Sequence, residues 1–214
     1  MIITKIEPQK KHKNRSSVFI DGNFAFGIDD FDLRRLHLAV GKVLSDEELT
    51  AIRQDVLIQE TKQYALKLLD RHSYTENALI RKMRERECDE SSILATISFL
   101  QEYGYIDDRE FARRYISSAL RTGKSGMRKI KYDLSLKGIS KEIVDEVALE
   151  FDEENSDSET EQVTILLEKK IKGDYSFPNL MKAKRYAFSR GFSVDAIDSA
   201  IRKLKLDEDD FPVE

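Results

Sequence analysis

"MRKIKYDLSLKGISKEIVDEVALEF", residues 127–151, decides the fold, because its apolar pattern occurs three times in the chain. Moved back by 51 residues it lies on ALIRKMRERECDESSILATISFL, with Ile130 on Leu79, Leu134 on Met83, Ile139 on Cys88, Val144 on Ile93, Ala148 on Ile97 and Phe151 on Leu100. Moved forward by 53, the same positions become Ala183, Ala187, Phe192, Ile197, Ile201 and Leu204. Six apolar positions holding register through three copies are the mark of stacked units that each bury the same faces.

The preceding helix repeats too. Tyr64, Ala65, Leu68 and Leu69 match Tyr115, Ile116, Ala119 and Leu120 at a shift of 51, and a further 51 residues on they match Leu166, Leu167, Lys170 and Ile171. Each unit reads as three helices, the first and last with one apolar stripe at spacings of three and four. Gly138 and Gly191 stand where the second helix must stop, since glycine readily takes the left-handed conformation there. Glu87 holds that place in the first copy, a departure from the pattern. The predicted fold is mainly α: three tandem three-helix repeats in an elongated curved array, with a small N-terminal β-strand module.

That module occupies residues 1–44. IITKI and SSVFI are rich in β-branched residues, Asp21-Gly22 is a two-residue turn signal, and Phe24, Phe26 and Ile28 fall two apart on one strand face. A short helix is expected from about Phe31 to Leu38, opened by Asp29, Asp30 and Asp32. Ser45-Asp-Glu-Glu48 is a capping box that starts a long helix. The expected division is then 45–106 for that helix with repeat 1, 107–151 for repeat 2, 152–161 for an acidic linker, 162–206 for repeat 3 and 207–214 for an acidic tail. Between the first two repeats, in YGYIDDREF (103–111), Gly104 ends one helix, while Asp107 caps the next with Glu110 as its reciprocal partner. Ile106 and Phe111 then sit at the two positions of a hydrophobic staple.

Composition bounds the function classes. Charged residues are 36% of the 214 and apolar ones 40%, with three prolines and nine glycines, which suits a helical chain with broad solvated faces. No run nears the ~18 apolar residues that a membrane span needs, and MIITKIEPQKKHKNR lacks the features of a secretory signal. A cytosolic, monomeric protein is expected, and the lone Cys88 excludes an intrachain disulfide. The net charge of −4 conceals segregation: the balance is 0 over residues 1–59, +4 over 60–139, −9 over 140–162, +6 over 163–206 and −5 over 207–214. Such polarity suits docking onto a charged surface, and solvated helix faces would show it as well.

No constellation of catalytic residues emerges. His12, His37 and His72 are scattered, without an i, i+4 pair or a cysteine at ligand spacing, so no metal or other cofactor is expected. Cys88 occupies a core position of the repeat. Gly123-Lys-Ser-Gly126 lacks the earlier glycine and the strand of a phosphate loop, and Asp29, Asp30 and Asp32 lack the spacing of a calcium loop.

The basic residues offer more. The middle helices carry Arg81, Lys82, Arg84 and Arg86, then Arg128, Lys129 and Lys131, then Lys182, Lys184, Arg185 and Arg190. Stacking would align these clusters into a stripe able to meet phosphates or an acidic protein groove. Tyr132 and Tyr186 are weak candidates for base stacking, whereas Tyr64 and Tyr115 belong to the buried stripe. A helix-turn-helix reader of DNA is a rival reading, although three such units without a dimerisation segment would be unusual.

The run GYIDDREFARRYISSALRTGKSGMRKIKYDLSLKGIS (104–140) resembles the signature of the RecX family, bacterial regulators of the RecA recombinase. Its pattern is carried by Tyr105, Ile106, Asp107, Asp108, Phe111, Ala112, Tyr115, Gly126, Leu134, Gly138 and Ile139, and the N-terminal module ending in LSDEEL is also similar to that of longer members. The resemblance implies a three-repeat helical modulator without catalytic activity. Such a protein would lodge in the groove of the RecA–DNA filament, inhibit ATP hydrolysis, recombination and strand exchange, and often contact single- or double-stranded DNA. Charge and register nominate Arg81, Lys82, Arg84, Arg113, Arg114, Arg128, Lys129, Lys131, Lys184 and Arg185 as contact residues. A protein that acts by occupying DNA directly, and a generic helical scaffold, remain the other two readings.

Overall fold

A computed structural model describes residues 1–10, 13–154 and 158–209. His12, Asn155 to Asp157 within the expected linker, and most of the expected tail lie outside the described residues. The strands are β1 (Ile3–Pro8), β2 (Arg15–Ile20) and β3 (Asn23–Asp29). The helices are α1 (Asp30–Arg35), α2 (Asp46–Leu69), α3 (Glu76–Glu85), α4 (Glu90–Glu102), α5 (Asp108–Thr122), α6 (Met127–Leu136), α7 (Lys141–Glu154), α8 (Ser158–Ile171), α9 (Phe177–Ser189) and α10 (Val194–Asp209). The chain forms two compact units, Met1–His72 with Ile80–Tyr105, and Ser73–Leu79 with Ile106–Glu214.

In the first unit the strands form an antiparallel meander in the order β1-β2-β3. Asp21 (φ 49°) and Gly22 (φ 85°) are both left-handed, the turn whose twist matches the flanking strands. The alternation in β3 holds for Phe26 and Ile28, which are buried, and fails at Phe24, which is 61% exposed. A bulge causes this: Val18 pairs with Phe26 but Phe19 pairs with Phe24, so one extra residue turns Phe24 to the other face. There it meets the Phe19 ring edge-on at 5.9 Å. The short helix ends at Arg35, earlier than Leu38, because His37 turns left-handed (φ 51°) and Leu38 is drawn into the core beside Val18, Ile28 and Leu44. Asp29 caps that helix through the Phe31 amide, and the Ser45–Glu48 capping box forms with both of its bonds.

The repeats explain the rest. Of the eighteen aligned core positions, all are buried except Cys88, Phe151 and Ile201, which are half-buried. Repeat 2 has its own core around Ile116, Ile130, Leu134 and Val147, and repeat 3 has another around Leu167, Ala183, Phe192 and Ile197. Side chains of this kind stabilise by roughly 1.5–3 kcal/mol each when fully buried. The third helix of every unit is capped alike: Asp89, Ser140 and Ser193 each accept a hydrogen bond from the amide three residues on, of Ser92, Ile143 and Ala196.

Within the second unit a docking contact also repeats. Thr75 Oγ1, at the start of α3, donates to the carbonyl of Lys137 at the end of α6 (2.7 Å). One repeat on, the Gly126 amide at the start of α6 donates to the carbonyl of Arg190 at the end of α9 (3.0 Å). The glycines of the motif follow from that closeness. A Cβ on Gly138 would lie 2.5 Å from Asn77 Cβ, and one on Gly191 would lie 2.3 Å from the Lys129 amide nitrogen. Glu87 has the same left-handed backbone (φ 62°) but is exposed, so a side chain is tolerated there.

Candidate functional site

The aspartate pair in YGYIDDREF serves two different helices. Asp107 accepts from the Glu110 amide and caps α5 (2.9 Å). Asp108 turns away and accepts from the Glu76 amide at the first residue of α3 (2.9 Å). Burial raises the Asp108 carboxyl above the usual range, against the opposing pull of that amide. The reciprocal bond expected of Glu110 is not formed among the described residues. Its carboxylate accepts instead from Arg113 (3.3 Å) and Arg114 (2.9 Å), which lie one turn away. Ile106 is buried and Phe111 half-buried, at the staple positions.

The nominated cations lie mostly in ion pairs. Arg84 makes a two-pronged contact with Glu90 (2.7 and 2.9 Å), and Lys82 pairs with Glu85 (2.6 Å). Arg113 also reaches Glu150 (2.7 Å), a carboxylate that Arg113 and Arg109 together hold below its ordinary range. Lys129 pairs with Asp133 (2.9 Å). Lys131 pairs with Asp145 (3.0 Å), and Lys184 pairs with Asp198 at the equivalent positions one repeat later. In repeat 1 those two positions are Ile80 and Leu94, and no charge is available. Arg128 lies over the Phe188 ring at 3.8 Å and donates to the Phe188 carbonyl (2.7 Å). Arg81 and Arg185 are exposed, and Arg185 donates to the Met181 carbonyl across a long contact (3.3 Å).

Within each unit the middle helix therefore offers charge that is partly neutralised by its own neighbours. An acidic or phosphate partner would have to displace those carboxylates, and exposed pairs cost little to exchange.

The chain matches the family models described as "Regulatory protein RecX N-terminal domain" over residues 1–45, "RecX, first three-helix domain" over 62–100 and "RecX, second three-helix domain" over 107–147. It is 33% identical to regulatory protein RecX of Clostridium beijerinckii, with 98% of this chain and 99% of that one aligned. The chain belongs to the RecX family of regulatory proteins. A RecX of Clostridium botulinum is 31% identical over 94% of this chain and 95% of its own. A crystal structure of regulatory protein RecX shares the fold, with a TM-score of 0.75 at 23% identity over 94% of this chain and 98% of that one. The crystal structure of RecX from Lactobacillus salivarius aligns with 70% of this chain and 97% of its own, with a TM-score of 0.65 at 27% identity.

Two surface features of the chain were not read from the sequence. Phe99, Tyr103 and Tyr105 form a ring cluster with centroids 4.8 and 6.0 Å from Phe99, and Lys62 lies 4.4 Å from the Phe99 centroid. Tyr103 and Tyr105 are 65% and 52% exposed, and the run of aromatics in FLQEYGY was the available signal. On repeat 3, Phe188, Val194, Met181 and Ile197 line an apolar hollow of about 530 Å³ beside Lys184 and Arg185. Among the described residues no helix is long and apolar enough to cross a membrane.

Proposed function

We propose that the chain is a non-catalytic regulator of the RecA recombinase. It binds the RecA nucleoprotein filament and lowers its ATPase, recombination and strand-exchange activities during DNA repair and the SOS response. The near full-length similarity to regulatory RecX proteins carries this reading. The protein acts as a cytosolic monomer and needs no cofactor. Contact is made by Arg81, Lys82, Arg84, Arg113, Arg114, Arg128, Lys129, Lys131, Lys184 and Arg185, which exchange their internal carboxylates for acidic groups of the filament.

The test is RecA-dependent ATP hydrolysis on single-stranded DNA with increasing amounts of the protein. Inhibition is expected, and it should weaken for Arg128→Glu/Lys129→Glu/Lys131→Glu and for Arg81→Glu/Arg185→Glu while helical circular dichroism is unchanged. Inhibition at full strength by both variants would remove these contacts from the proposal. The exposed Tyr103 and Tyr105, packed on Phe99 with Lys62 over its ring, favour a second reading, in which the protein occupies DNA directly. Excess free DNA added to preformed filaments would then titrate the inhibition away.

A further inference from the structure

A cleft of about 600 Å³ in the second unit is lined by Arg121 in the last turn of α5, Lys124 just after it, Lys169 and Lys170 on α8, and Arg190 after α9. Among the described residues no acidic side chain lines it and none of these five cations makes an ion pair. The contrast with the middle helices is physical. Lys129, Lys131 and Lys184 each face a carboxylate, whereas the cleft gathers five like charges that repel one another until an anion enters.

The repeat shows that this charge is not a by-product of the fold. One copy earlier, Lys169, Lys170 and Tyr186 are Ser118, Ala119 and Asp133. Arg190 is the counterpart of Arg86 and Lys137, which lie over the rings of Tyr64 (4.4 Å) and Tyr115 (5.5 Å) on the first helix of their own repeats. In repeat 3 that tyrosine is replaced by Leu166, and Arg190 leans toward Tyr186 instead (5.6 Å). Its Nε is buried and has no hydrogen-bond partner among the described residues. Tyr186 also carries Lys170 at 4.7 Å from its ring centroid, so one ring steadies two cations of the cleft. Between them lie Leu120, Leu166 and Ile165, the last 52% exposed.

We propose that this cleft is a nucleotide site, taking phosphate on the five cations and the adjoining sugar and base against Leu120, Ile165 and Leu166. The volume fits one nucleotide, and convergent cations beside an apolar floor suit that amphipathic ligand better than a duplex, which requires a linear stripe. The same chemistry is offered by a free nucleoside triphosphate and by one unit of a single strand. The assignment does not depend on RecA binding, and its assay contains no recombinase.

Fluorescence anisotropy would be followed with N-methylanthraniloyl-ATP and, separately, with fluorescein-labelled oligo(dT), using the full chain at low salt. Saturable binding of at least one probe is expected, weakened about tenfold or more by Arg121→Glu/Lys169→Glu. Lys203→Glu/Lys205→Glu changes the net charge equally, away from the cleft, and should alter binding less than about twofold. Unlabelled ATP that displaces its probe while oligo(dT) does not assigns the site to free nucleotide; the reverse assigns it to a strand. Absence of binding by both probes, or equal weakening by the two double variants, overturns the proposal.

Discussion

The carboxylate of Asp108, the first residue of α5, accepts its hydrogen bond from the backbone amide of Glu76, the first residue of α3 (2.9 Å). One aspartate thus satisfies the start of a helix 32 residues away, while its neighbour Asp107 caps its own helix. Asp107→Ala should cost about 0.5–2 kcal/mol in urea denaturation. If inhibition of RecA were lost with stability unchanged, the joint would be a contact residue and not a cap.

Asp108 titrates upward in the fold, so the folded protein holds its proton more tightly than the unfolded chain. Its contribution to stability is therefore fully present below the unfolded value of about 3.9 and declines as pH rises through the folded one. Asp108→Asn keeps an acceptor oxygen and cannot ionise. The stability of the wild type minus that of the variant should fall as pH is raised from about 4 toward neutrality, measured by urea midpoints.

Asp89 behaves in the opposite sense. Hydrogen bonds from Ser91 and Ser92 hold its carboxyl well below the ordinary range, so its stabilisation is present above the unfolded value of about 3.9 and lost as pH falls. Asp89→Ala should lower the melting temperature at neutral pH and have a smaller effect in acid, by calorimetry.

Gly191 and Glu87 share a backbone conformation and differ in what lies beside them. Gly191→Ala adds a Cβ in contact with the Lys129 backbone at a left-handed position and should destabilise by about 1–3 kcal/mol. Glu87→Gly relieves the left-handed cost but loosens the unfolded chain, so a change below about 1 kcal/mol is expected. Chemical denaturation of both variants checks the contrast.

Lys184 and Asp198 should show a coupling of about 0.2–1 kcal/mol in a double-mutant cycle of alanine variants, fading with added salt. A large, salt-insensitive coupling would mean that the pair is not available for exchange with a partner.

Much of the fold was legible because burial follows helical geometry. Ile130, Leu134 and Val144 are periodic in the chain and are buried in the structure for that reason. Phe24 escaped the pattern because a bulge is a two-strand event, visible only once Phe19 and its partner are paired. The cations fared differently. Lys131 and Lys184 were legible as basic residues in register, but the carboxylates facing them lie on the following helix. The cleft of Arg121, Lys169 and Arg190 draws on three separate segments, each unremarkable alone.

Sequence by itself determined the repeat, its apolar faces and the helix ends within it, since these depend on spacing of a few residues and on the local chemistry of serine, aspartate and glycine. Only the tertiary structure decided which charge meets which. A long polar side chain takes the partner that packing brings within about 3 Å, and helix periodicity carries no record of that. Asp108 reaching Glu76, and Arg190 leaning toward Tyr186 with its Nε buried, are decisions of that kind.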